Sequence, residues 1–89
     1  MRAPVSVTLA DTSTQIFAVN QFRTGFYLKN MGAETVYISI GEPAEASKGI
    51  PLASFEGIQF HLKTTQAIFG IVASGGTGTV MGQDISSGL

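Results

Sequence analysis

The apolar residues of this chain recur at every second position in short runs, and no stretch carries them at helical spacing for longer than about one turn. This rhythm constrains the fold more than any other feature. Successive side chains of an extended strand point to opposite faces, so an alternating run buries one row and turns the other to water. Val5, Val7 and Leu9 alternate with Ser6 and Thr8. Val36, Ile38 and Ile40 alternate with Tyr37 and Ser39, and Ile58, Phe60 and Leu62 with Gln59, His61 and Lys63. Clusters of Gly, Pro, Ser, Thr, Asn and Asp separate the runs, as turns separate short strands.

Along the chain the pattern predicts strands over residues 5–9, 14–20, 24–31, 34–40, 56–63, 67–73 and 77–81, with a brief extended piece at 52–55. In the second strand Ile16 and Ala18 are expected on one face, Phe17 and Val19 on the other. Residues 20–23 read as a turn or short crossing. Phe26, Leu28 and Asn30 share one face of the third strand, and Tyr27, Lys29 and Met31 the opposite one. Asn30-Met31-Gly32-Ala33 reads as a tight turn, which makes residues 24–41 a predicted β-hairpin. Residues 41–51 contain Gly41, Pro43, Gly49 and Pro51 and are expected to cross between sheets. The 67–73 run is apolar on both faces, which predicts a central strand; Ser74-Gly75-Gly76 reads as a flexible turn after it, and the run from Gly75 to Thr79 as a hairpin turn. The expected fold class is all-β: a small antiparallel β-sandwich or jelly-roll-like barrel of seven to eight short strands. The expected domain organisation is one β-sandwich domain over residues 1–81. Residues 82–89, where the alternation fades, read as a C-terminal tail or docking arm.

Composition narrows the function. The 89 residues hold no Cys and one His, which excludes a disulfide scaffold, a Cys-containing zinc site and a Cys nucleophile. A net charge of -1 argues against a nucleic-acid partner. The longest apolar stretch, residues 67–73, is too short to cross a bilayer as a helix, and no membrane partner or targeting segment is expected. Charged residues are only 12% of the chain, about half the usual ~25%. A domain this small leaves much of its surface outside, so scarce charge implies that neighbouring subunits cover part of it.

No constellation of residues points to catalysis. His61 falls on a polar strand face beside Gln59 and Lys63, and the nearest acid in sequence is Glu56, so a nucleophile–base–acid set is missing. Glu42 and Glu45 share one loop rather than facing each other across a cleft. Gly75-Gly76-Thr77-Gly78-Thr79 looks like a phosphate loop, but it lacks the following Lys and enters a strand rather than a helix. No enzyme activity, metal or cofactor is expected. Tyr27 and Tyr37 are predicted on the outer faces of adjacent strands, a platform for subunit contact or for a sugar.

One further pattern is informative. Arg23-x-Gly-Phe-Tyr-Leu-Lys-Asn30-x-Gly32 leads to Val36-Tyr37-Ile38-Ser39-Ile40-Gly41, then Gly49-Ile-Pro-Leu52, Ala67-Ile68-Phe69-Gly70-Ile71 and Gly76-Thr77. Over residues 22–80 this order resembles small virion structural proteins of tailed bacteriophages. It departs from them where Ser39-Ile40 intervenes before Gly41. The resemblance implies a homo-oligomer, a trimer or another form, made in the host cytoplasm and carried in the virion. It implies a capsid decoration or cement protein whose partners are itself and the major capsid protein or another virion protein. A head–tail, tail-tip or fibre-base adaptor is the alternative, and a carbohydrate-binding module a further one. The candidate contact residues are Arg2, Pro4, Tyr27, Lys29, Tyr37, Glu42, Glu45, Lys48 and His61.

Overall fold

In the computed structural model, which describes residues 4–45, 48–60, 65–73 and 76–86, the alternating runs become eight strands. These are β1 (Val5–Leu9), β2 (Thr14–Phe17), β3 (Arg23–Asn30), β4 (Val36–Ile40), β5 (Ile50–Leu52), β6 (Gly57–Phe60), β7 (Ile68–Val72) and β8 (Gly78–Ser86). They pair in nested antiparallel order: β1 with β8, β2 with β7, β3 with β6 and β4 with β5. That is one long hairpin with its tip between β4 and β5. Two more pairings, β3 with β8 and β4 with β7, roll it up. The product is two four-stranded sheets, β1-β8-β3-β6 and β2-β7-β4-β5, the strand order of a jelly roll. The sheets stack as an antiparallel sandwich and do not close into a barrel.

Alternation places the core as expected. Leu9, Val80, Leu28 and Phe26 face inward from the first sheet, and Ile16, Ile68, Val72, Val36, Ile38 and Leu52 from the second. β2 departs from strict alternation. A bulge between Gln15 and Phe17 puts Ile16 and Phe17 both in the core. The expected strand end at Ala18 and Val19 is instead exposed loop, with Val19 66% accessible.

The connections differ most from the sequence reading. Residues 24–41 are not a hairpin: β3 and β4 lie in different sheets. Asn30 explains the arch between them. Its buried side chain donates to Glu34 O at 2.6 Å and Leu52 O at 3.0 Å, and accepts from Gly32 N at 3.0 Å. One amide thus satisfies backbone groups that a hairpin ladder would otherwise have paired. β7 and β8 likewise belong to different sheets, so the Gly-rich stretch before β8 is a crossing rather than a hairpin turn. Residues 41–49, by contrast, do not cross. They return the chain into the same sheet, with Gly49 at φ 89° and its α-carbon against Ile38 O, where a Cβ would stand only 2.4 Å away.

The expected tail is also corrected. Residues 82–86 belong to β8, a central strand flanked by β1 and β3. The physical reason is Asp84, which is buried in register with Phe26. Its Oδ1 accepts from Arg23 Nε at 2.6 Å, and its Oδ2 accepts from Arg23 Nη2 and Asn20 Nδ2, each at 3.1 Å. The Arg23 side chain is fully buried. It also donates to Ala18 O at 2.8 Å and to Gln66 O, and packs against the touching rings of Phe17 and Phe26, 6.0 and 5.9 Å from their centroids. The predicted turn at residues 20–23 therefore ends in a charge cluster that ties β3 and β8 to the segments beside β2 and β7.

Candidate functional site

Of the charged residues in the eight strands, Arg23 and Asp84 neutralise each other inside, leaving Lys29 as the one charge a strand turns outward. The outer face of the first sheet follows from register. One row runs Ser6, Met81, Lys29, Gly57, and the next places Gln83, Tyr27 and Gln59 side by side. Tyr27, Met31 and Met81 are 40%, 38% and 45% exposed. With Pro4, Val5 and Lys29 they line a shallow depression of about 390 Å³. Tyr27 reaches toward the β6 edge, its hydroxyl 2.8 Å from where a Cβ on Gly57 would stand. The absence of a side chain at Gly57 makes that position available to the ring.

The second sheet differs in that the β4–β5 connection lies beside it. Ala44 N donates to Ser13 Oγ at 2.8 Å, which holds the start of the β4–β5 connection beside the entrance to β2. Ala44 is buried, and so is Ile71, although register puts Ile71 in the outward row beside Tyr37. Between loop and sheet lies a cavity of about 530 Å³ lined by Ser39, Glu42, Pro43, Glu45, Lys48 and Gly49. Lys48 Nζ sits 3.2 Å from Glu45 Oε2, but both side chains are largely exposed and water screens the pair. Among the described residues no three His, Cys, Asp or Glu side chains gather as a metal-holding group.

The candidate contacts thus divide among separate places. Pro4, Tyr27 and Lys29 come together on the bare outer face of the first sheet. Glu42, Glu45 and Lys48 come together at the β4–β5 connection. Tyr37 is on the far side of the sandwich from Tyr27, so the expected paired-tyrosine platform does not form. Arg2 and His61 lie outside the described residues. Met31 and Met81 complete the apolar face and were not singled out by sequence reasoning. Their signal was present: each occupies the outward phase of its run in place of a polar residue.

Phe55 also stands out. Glu56 N donates to Ala53 O at 2.9 Å, closing a tight turn, and Ser54 Oγ donates to Gly32 O at 2.7 Å. Phe55 takes the left-handed backbone region at φ 59° with 63% of its surface exposed. A bulky residue there is strained, whereas glycine is not. Phe55→Gly is therefore expected to raise stability by about 1 kcal/mol, read as a higher midpoint in urea. A lower midpoint would show that the ring contributes packing that outweighs the strain.

Compared with protein-family models, curated proteins and solved structures, the chain matches none.

Proposed function

We propose that this chain is a virion structural protein, an oligomeric capsid decoration or cement protein that lies on a phage head. The observation that carries the reading is the outer face of the first sheet. Among the described residues it presents Tyr27, Met31 and Met81 with a single charge, Lys29, whereas surfaces of soluble monomers usually mix charges of both signs at about 25–35% of positions. An apolar, sparsely charged face on a small rigid sandwich suits packing against a neighbour. Many copies on one shell add modest contacts into firm attachment. The resemblance over residues 22–80 supports the same reading. A carbohydrate-binding role loses its basis, because Tyr27 and Tyr37 face opposite directions.

Quantitative mass spectrometry of particles produced by the encoding genome tests the proposal. A copy number comparable to that of the shell subunit is expected. A handful of copies would favour a head–tail, tail-tip or fibre-base adaptor instead. Complete absence from purified particles would overturn the virion reading.

A further inference from the structure

Each sheet of an open sandwich ends in two edge strands, and an edge presents unpaired N–H and C=O groups to any chain able to pair with them. Here the edges are β1 and β6 of the first sheet and β2 and β5 of the second. Three carry features that discourage pairing. β5 has Pro51, which lacks an N–H, at its centre. β2 is bulged, and the Ser13–Ala44 hydrogen bond brings the 41–49 segment to its entrance. β6 opens on Gly57 directly after Glu56. β1 follows Pro4 but has none of these within the strand. Its residues Val5-Ser6-Val7-Thr8-Leu9 include no charge, Pro, Gly or bulge, and among the described residues only β8 pairs with it.

The sequence of β1 is also complementary to itself. Laid antiparallel on a second copy about Val7, it sets Val5 opposite Leu9, Ser6 opposite Thr8 and Val7 opposite Val7. Directly opposed residues share a face, so apolar meets apolar on the inner side and hydroxyl meets hydroxyl on the outer. The inner row has reason to be covered. Leu9 is fully buried, but Val5 and Val7 on the same edge strand are only half-buried against the core. A strand at the usual spacing of about 4.8 Å would complete their cover.

We propose that two copies of this chain join through their β1 edges, antiparallel and centred on Val7, to form one continuous eight-stranded sheet across a two-fold axis. The arrangement is isologous, so it closes at two copies. It brings the two depressions that contain Tyr27 and Met81 onto one face of the joined sheet. The inference does not depend on the virion reading, because it uses only the edge and its register. A three-fold assembly would have to use another surface.

Native mass spectrometry and sedimentation velocity on the purified chain are expected to show a species of twice the 9.3 kDa monomer mass. Ser6→Lys with Thr8→Lys places like charges opposite each other and is expected to shift the species to 9.3 kDa. Ser6→Glu with Thr8→Glu is expected to do the same. Equimolar mixing of the two variants is expected to restore a mixed dimer, since each lysine then faces a glutamate. Amide exchange of the wild-type chain gives a readout that needs no variant. Residues 5–9 are expected to exchange roughly tenfold more slowly in concentrated than in dilute solution. A monomer at high concentration, an oligomer unaffected by both charge variants, or β1 exchange rates independent of concentration would overturn the proposal.

Discussion

Asp84→Ala is expected to leave the Arg23 guanidinium buried without a carboxylate and to cost about 3–5 kcal/mol. For 89 residues the total stability is roughly 4–13 kcal/mol, so this one change removes a large share of it. Of the partners described above, Arg23 would retain the carbonyls of Ala18 and Gln66 and the faces of Phe17 and Phe26. Those groups orient the cation but do not neutralise it. Arg23→Met is expected to be comparably damaging, because Asp84 would keep only Asn20 among the partners described above. The double change Arg23→Met with Asp84→Leu is expected to cost less than the sum of the two. It removes both charges at once and leaves neutral groups unsatisfied. Urea denaturation followed by circular dichroism measures all three. Single-variant losses below about 1 kcal/mol would mean that the pair is wetter and weaker than its geometry implies.

The second large effect is expected at Asn30. Asn30→Ala deletes two donated hydrogen bonds and one accepted one, all to backbone groups at the β3–β4 arch and β5. The buried Leu52 carbonyl is then left without this donor, and the expected loss is about 2–3 kcal/mol. Asn30→Asp is the sharper test. It keeps an acceptor for Gly32 N but turns carboxylate oxygen toward the carbonyls of Glu34 and Leu52, so it is expected to destabilise more than alanine does. If aspartate were the milder change, the arch would depend on the Gly32 contact alone.

Much of the sandwich was legible from alternation. The inward rows of β1, β3 and β4 and the two-sided apolar character of β7 were all readable, because a strand's period of two maps directly onto burial. Bounds were less legible wherever polar residues carried the inward phase. Asp84 interrupts an apolar row and makes β8 look finished, although Val80 and Asp84 keep the same phase across Gly82. Arg23 looked like part of a turn for the same reason. Each is a poor core residue alone and an acceptable one only when paired with the other, 61 positions away.

The site was legible in a similar, partial way. Tyr27 and Lys29 were found by their outward phase, and Glu42, Glu45 and Lys48 by their place in a long connection. What phase does not report is which sheet a strand joins. Tyr27 and Tyr37 are each outward on their own strand, yet they face away from each other because β3 and β4 are in different sheets. Nor does phase report that Ala44, in the β4–β5 connection, is tied to Ser13 beside β2.

Alternation and scarce charge by themselves determined that this chain forms short antiparallel strands with one buried row each, in a small sandwich or a jelly-roll-like barrel. They also determined that little charge remains for its surface. Only the tertiary structure decided how the strands are partnered. The pairing of β1 with β8 and of β2 with β7, the Asn30–Leu52 bond and the Arg23–Asp84 lock join residues far apart in the chain. Local periodicity carries no information about such contacts, because it describes one strand's two faces and not the neighbour that each edge will meet.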